Sequence, residues 1–404
     1  MFPPLETKKK IVILGCGFAG LELVKELKKI LKDSVEITVV DKSGYFTYNP
    51  GLFDFFSGKI KEKDVVLKYE ELFKGLNIEF IQDKVINVKT RMKTVNLENS
   101  VLKYDFLVVA LGSQVKYNHL PRVDNKLFLF DSFNSVKKLS THINSLMESL
   151  KNVKKIETQN KKLTFVVVGG GLTGIELVFD LREKLYKLCR KNGIKKKNLD
   201  ITLIQEGKIL EQLEERVGIK VHDYLEKLNI HVIVGQRVTR VDEHRIYIGD
   251  GRAFATDTII WCGGVMPTKA IFRSDLTTKV DGGIIVNNYL QSVTNPNVYA
   301  LGDNVHFEHE KKKLSKTYLH AIDKAKYVAL NLVNEITGDG EKHGFIPKED
   351  KFWFKLGSWN GIYFKNDFYF DGFFISLGKS LKDKDKYRMI KFRDEFKKLK
   401  KNLR

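Results

Sequence analysis

An α/β architecture with two parallel-sheet units and a C-terminal extension is predicted by two observations on the 404-residue chain. A short β-branched strand run passes straight into a glycine turn and then a helix, and it does so twice. A later strand, ending in Gly302 and Asp303, has no partner sheet in the stretch between, so it must return to the first unit.

The clearer copy is KLTFVVVGGGLTGIE at residues 162–176. Residues 164–168 read as a fully buried strand. Gly169, Gly171 and Gly174 follow, and from Ile175 the spacing is helical. The other copy has its strand at residues 11–14, then Gly15, Gly17 and Gly20, with a helix from Leu21. Strand, turn and helix in that order make G-x-G-x-x-G a specific pattern. Glycine lets the backbone turn tightly and approach a pyrophosphate, whose charge sits at the helix N-terminus. Two such loops imply two dinucleotide sites, each in a Rossmann-like unit.

Hydrophobic residues at 43% and charged residues at 30% fit a globular chain long enough for two or three domains. The net charge of +20 is compatible with nucleic acid, an anionic membrane surface or acidic ligands. With two dinucleotide loops present, no nucleic-acid partner is expected. The three cysteines, Cys16, Cys189 and Cys262, lack C-x-x-C or metal-ligand spacing. That fits a reducing compartment, and no metal site is expected. No apolar run reaches the ~18 residues of a spanning helix.

In chain order, residues 21–31 form an amphipathic helix, and the strand at 35–40 ends in Asp41. A carboxylate at that point suits the ribose hydroxyls of an adenosine. The segment YFTYNPGLFDFFSG at 45–58, with Pro50, either lines the first site or caps a core. Residues 76–81 read as a strand, 84–88 with 94–97 as a hairpin, and 104–110 as a strand before Gly112. Residues 120–161 are mostly helical, with a flexible connection near 154–161 where the second unit begins. A basic linker at 190–197 precedes a strand at 201–204, which runs into Gln205 and Glu206. A helix at 219–228 and strands at 232–234, 237–241, 245–248 and 258–261 lead to Gly263 and Gly264. A strand around 298–300 and a helix at 318–336 complete the first unit. The predicted division is a first nucleotide domain from residues 1–126 and 281–344, an inserted one at 162–280, and an extension at 345–404.

In residues 352–374 there are 11 aromatics among 23 residues, interrupted by Lys355, Lys365, Asp367 and Asp371. An antiparallel hairpin or an oligomer face, with a homodimer as the assembly, stands beside a membrane-facing surface as its reading. From residue 379 onward there are 12 basic and 4 acidic residues. Met389, Phe392, Phe396, Leu399 and Leu403 share one helical face, opposite Lys391, Arg393, Lys397, Lys398, Lys400 and Lys401. Such a helix either packs on its own domain or lies among anionic headgroups. Peripheral membrane attachment through this segment is the expectation.

These residues resemble the two-dinucleotide-binding-domain flavoprotein family, most closely type II NADH:quinone oxidoreductases. The pieces that carry the resemblance are GCGFAG with Asp41, the aromatic segment around Pro50, YDFLVVALGS at 104–113, GGGLTGIE, WCGGVMP at 261–267 and NPNVYALGD at 295–303. The resemblance implies FAD in the discontinuous first domain and NADH in the inserted one. Gly15, Gly17, Gly20 and Asp41 would hold the ADP half of FAD, with Pro50, Gly112, Gly302 and Asp303 along the rest of it. Gly169, Gly171 and Gly174 would hold the NAD pyrophosphate, with Gln205, Glu206 and Gly263 completing that site. Glu176 is similar to the family glutamate beside flavin and nicotinamide, where it positions or relays a proton; otherwise it is a helix-start acid facing the dipole. The implied activity is hydride transfer from NADH to flavin and electron delivery to a quinone, without proton pumping, at the cytoplasmic face of the cell membrane. The cofactors carry that chemistry, so no nucleophile is assigned.

Two departures stand out. Gln205 occupies a position where the family usually has an acid, which binds the NAD ribose and repels the 2′-phosphate of NADP; NADH is still expected, with Glu206 as the opposing charge. The quinone-site helix pattern Ala-Gln-x-Ala-x-Gln is replaced at residues 318–323 by Tyr-Leu-His-Ala-Ile-Asp. Two alternatives are a sulfide:quinone oxidoreductase, which needs paired redox cysteines facing the flavin, and a flavin-bound redox sensor or partner-binding protein.

Overall fold

The computed structural model describes residues 8–117, 120, 127–150, 156–309, 312–365, 368–382 and 385–403. The first sheet has six strands in the order Gln291–Ser292, Asn295–Ala300, Phe106–Val109, Lys10–Leu14, Glu36–Asp41, Glu79–Gln82. All neighbours are parallel except the short edge strand. Phe106–Val109 and, from Ile11 onward, Lys10–Leu14 are continuous apolar runs because both sheet faces are covered. The Phe18–Leu31 helix places Leu23, Val24, Leu27 and Leu31 against the core and packs on the Tyr318–Thr337 helix. Its buried Lys28 donates to the Lys32 carbonyl (2.7 Å) and to Asp33 (2.6 Å), a cation at the negative end of the helix.

The second sheet is wholly parallel, in the order Phe128–Leu129, Thr258–Trp261, Thr164–Val168, Asp200–Ile204, His231–Ile233. It therefore begins before residue 162. Phe128–Leu129 pairs with Ile260 and Trp261, and the Phe133–Ser149 helix lies on the Leu172–Asn192 helix. The start of the inserted unit must be moved from near residues 154–161 back to about Phe128. A helix, Ile156–Leu163, stands where a flexible connection was expected, and residues 151–155 lie outside the described residues. Arg190 and Lys191 belong to the last turn of the Leu172–Asn192 helix rather than to a linker. Gly193, left-handed at φ 69°, ends that helix.

Two short strands join the units. Ser113–Val115 pairs antiparallel with Val265–Pro267, directly after the first sheet's central strand and the second sheet's Thr258–Trp261.

The aromatic stretch is a three-stranded antiparallel sheet, Lys351–Lys355, Gly361–Lys365 and Phe368–Asp371. One face buries Phe352, Phe354, Ile362 and Phe364 in the core of the inserted unit. On the other side Phe368 and Phe370 are exposed, as are Trp359 in the turn between the first two strands and Phe374 in the following Phe373–Lys382 helix. In the terminal helix, Asp385–Leu403, the apolar face meets protein. Phe396 and Leu399 are buried in the core of the first unit, and the Phe396 ring sits 6.2 Å from that of Phe73. Lys25 pairs with Glu395 at 3.0 Å and Lys400 donates to the Glu71 carbonyl. The expectation that this helical face meets a membrane is thus corrected for Phe396 and Leu399, because the first domain already removes them from water. The side chains of Met389, Lys391 and Phe392 lie outside the described residues.

Phe396→Ala should destabilise the first unit by about 3 kcal/mol, the cost of an emptied aromatic site. The exposed change Lys398→Glu should stay within about 0.5 kcal/mol. Denaturant unfolding measures both; a Phe396→Ala protein as stable as its parent would mean the helix is not docked.

Candidate active site

Each glycine loop is shaped by backbone running against backbone. Gly15 adopts φ +90°, and a Cβ there would meet the Ala110 carbonyl oxygen at 2.3 Å. A Cβ on Gly174 would meet the Gly169 carbonyl oxygen at 1.8 Å, so no side chain fits where helix and strand approach. Gly17 and Gly171 have open space in front of them, the room a phosphate requires.

Each loop is also braced from the end of the next strand. The Cys16 N–H donates to Asp41 Oδ2 at 2.7 Å, and Ser43 N–H donates to Oδ1 at 2.8 Å. Burial raises the Asp41 carboxyl above the usual carboxylate range, and these two donors oppose it. In the second unit Gly170 N–H donates to Gln205 Oε1 at 2.6 Å. Gln205 therefore stands where Asp41 stands in the first unit, with an amide oxygen in place of a carboxylate. Its neighbour Glu206 is exposed, with Arg237 at 3.8 Å.

Both loops open into one cleft of about 1880 Å³. That exceeds the roughly 300–1000 Å³ of a pocket for one drug-sized ligand and suits two large ones meeting. Gly15, Gly17, Asp41, Pro50, Gly112, Gly169, Gly171, Glu176, Gln205, Glu206, Gly263, Gly302 and Asp303 all line it. Gly20 and Gly174 stand behind, inside their turns. Gly112 N–H donates to Asn304 at 3.0 Å, and Ser113 Oγ donates to Asp303 at 3.0 Å, which ties the returning strand to the central one.

Glu176 lies in the second turn of its helix, past the first turn where the dipole acts, so the helix-start role does not describe it. Its Oε1 accepts from the Lys355 N–H at 2.8 Å. The aromatic sheet thereby closes one wall, where Phe352, Trp353, Phe354 and Tyr363 reach the cleft. From the Tyr318–Thr337 helix, Tyr318, Leu319 and Ala321 face the cleft. His320 turns inward to Asp350 at 2.6 Å, and Asp323 turns outward to Lys348 at 3.1 Å. This helix offers the cleft a largely apolar face.

Lys324 was not singled out from the sequence. It is buried beside Asp303; burial pulls its amine down to about 8, and the carboxylate opposes that shift. Lys355 and the 113–115 strand were likewise missed. Of the cysteines, Cys262 lines the cleft, and burial pushes its thiol up to about 12. Cys16 and Cys189 are buried elsewhere, so no pair of cysteines faces the cleft.

A profile for pyridine nucleotide-disulphide oxidoreductases matches residues 9–325. The type II NADH:quinone oxidoreductase of Staphylococcus haemolyticus is 26% identical over 340 residues, covering 82% of this chain and 84% of that protein. Its counterpart from Staphylococcus aureus is 25% identical over 372 residues, covering 88% and 90%. Among solved structures, NDH2 from Plasmodium falciparum in complex with NADH shares the fold with a TM-score of 0.84 at 19% identity, covering 97% of each chain. The sulfide:quinone oxidoreductase of Aquifex aeolicus does so with a TM-score of 0.77 at 20% identity, covering 96% of this chain and 92% of that one. The chain belongs to the pyridine nucleotide-disulphide oxidoreductase family.

Proposed function

We propose that the protein is a type II NADH:quinone oxidoreductase, moving two electrons from NADH through FAD to a quinone without pumping protons. The observation that carries this reading is that both glycine loops open into one cleft, with Glu176 on its wall and an aromatic sheet across its side. The first loop fits FAD: Gly15 and Gly20 leave no room for side chains, Gly17 faces open space, and Asp41, which braces the loop, would meet the ribose. Gly112, Gly302 and Asp303 extend that surface, and the 49–51 turn with Pro50 borders it. FAD, when bound, supplies the two-electron relay that the side chains lack. The second loop takes the NADH pyrophosphate, with Gln205 and Glu206 at the ribose and Gly263 at the inner end. Glu176, held by the Lys355 N–H, supplies or positions a proton for the acceptor. The apolar face of Tyr318, Leu319 and Ala321 and the ring of Trp353 suit a quinone. No cysteine pair faces the cleft, which favours this reading over sulfide oxidation.

We place the protein on the cytoplasmic face of the membrane as a peripheral protein. Among the described residues no helix is long and apolar enough to cross a membrane. Trp359, in the turn between the first two strands of the aromatic sheet, and Phe373 and Phe374, at the start of the Phe373–Lys382 helix, form an exposed aromatic cluster, with ring centroids 5.8 Å apart for Trp359 with Phe373 and for Phe373 with Phe374. Insertion there would bring lipid-borne quinone close to the site. A homodimer through the same face is the competing use of it.

Three outcomes are expected. The purified protein carries non-covalent FAD that NADH bleaches anaerobically and a quinone restores; a flavin-free protein would end this reading. NADH is preferred over NADPH, and Gln205→Glu should raise the NADH-to-NADPH ratio of kcat/KM about tenfold, since a second acid repels the 2′-phosphate. An unchanged ratio would remove Gln205 from the specificity site. In flotation with anionic liposomes, replacing Trp359, Phe373 and Phe374 by Ser should cut binding at least about tenfold, given the apolar area lost. Lys398→Glu should cost far less, and equal binding by both variants would move the contact elsewhere.

A further inference from the structure

Outside the glycine loops, the Leu172–Asn192 helix carries a row of acids. Glu176, Asp180 and Glu183 recur at helical spacing on one face. Asp180 is buried, in the middle of an apolar run, where a carboxyl group needs a reason to be. Facing it are Asp54, from the Leu52–Phe56 helix, Lys59 just beyond, and Lys355 from the aromatic sheet. Lys59 Nζ lies 3.9 Å from Asp180 and 3.7 Å from Asp54. Lys355 Nζ lies 3.5 Å from the same Asp54 oxygen, and the Lys355 N–H holds Glu176. Glu183 closes the far end, accepting from the Ser358 N–H and hydroxyl. Lys184, on the same helix, turns away to the Phe56 carbonyl and Ser140. The row thus begins at a partly exposed lysine, Lys59, and ends at the acid on the cleft wall.

We propose that this row carries a solvent proton to the acceptor end of the cleft, with Asp180 as the proton-holding member and Glu176, one turn earlier on the same helix face, as the member at the cleft, while Lys59, Asp54 and Lys355 set the charge around them. The inference rests on the function proposed above. NADH gives up two electrons and one proton, whereas a quinone becoming a quinol takes two electrons and two protons. One proton per turnover must come from water. The hop from Asp180 to Glu176 breaks one O–H bond and forms another, and Asp180 regains its proton from water at the Lys59 edge, where Lys59 acts as a charge and not as a carrier. Burial pushes the Asp180 carboxyl up to about 7, against the pull of Lys59 and with the help of the like charges of Asp54, Glu176 and Glu183. It therefore holds a proton on the acid side of neutrality and loses it as pH rises. Asp180 touches no substrate; it is a positioning residue for the proton.

The test uses the FAD-loaded full chain in stopped flow, with NADH reduction and reoxidation by a water-soluble benzoquinone measured separately. In the parent, the quinone step should slow as pH rises through about 7. Asp180→Asn should slow that step about tenfold on the acid side and abolish its pH dependence, leaving the NADH step unchanged. Asp180→Glu should recover both. Lys59→Met, which removes the cation that opposes protonation, should shift the fall to higher pH. An Asp180→Asn protein with the parental rate and pH profile would overturn the proposal. Equal slowing of both steps, unrescued by Asp180→Glu, would also overturn it by making the residue structural. A parent that passes no electrons to quinone would overturn both this inference and the function beneath it, and is told apart because the parent itself fails.

Discussion

The antiparallel pairing of Ser113–Val115 with Val265–Pro267 fixes the relation between the two halves of the molecule. Each strand leaves the C-terminal end of its own parallel sheet, the end at which open α/β sheets bind their ligands. Pairing them turns those two ends toward each other. Trp261 strengthens the join by donating its indole N–H to the Lys116 carbonyl at 3.0 Å. Without that seam the glycine loops would belong to two separate clefts, and a donor and an acceptor bound to them would have no common wall.

The two loops and the strand return were legible because each is a local pattern with one structural solution. Glycine spaced after a β-branched run dictates a turn, and a strand between two helical stretches must find a sheet. The seam was not legible, since three residues such as Ser113-Gln114-Val115 carry no periodicity. Phe128–Leu129 escaped notice for the same reason, and with it the true start of the inserted unit. The terminal helix failed differently. Its pattern states that Phe396 and Leu399 are covered, and an amphipathic pattern does not say by what. Asp180 sat in plain view in LVFDL, but an acid's meaning depends on Lys59 and Asp54, more than a hundred residues earlier in the chain.

Charge in this protein is arranged at two scales. The surplus of lysine lies mostly in water, where a single exposed pair such as Lys10 with Glu36 contributes little. Inside, a few lysines sit beside carboxylates at points where burial would otherwise neutralise one or the other. Lys324 with Asp303 and Lys59 with Asp180 are of this kind. In both, burial brings the ionisation toward neutrality, where protonation can change during a reaction.

The terminal helix has a consequence for how the chain is made. The first sheet needs Asn295–Ala300, and its helical layer is finished by Phe396 and Leu399 near the end of the chain. The inserted unit, by contrast, draws its sheet from one continuous stretch. On a ribosome, the sheet of that inner unit can form while the outer one still waits for its last strand, although the inner core is completed only by Phe352, Phe354 and Phe364 of the aromatic sheet. The half that is translated first is therefore completed late, and the apolar face of its Phe18–Leu31 helix must be shielded until the Asp385–Leu403 helix emerges.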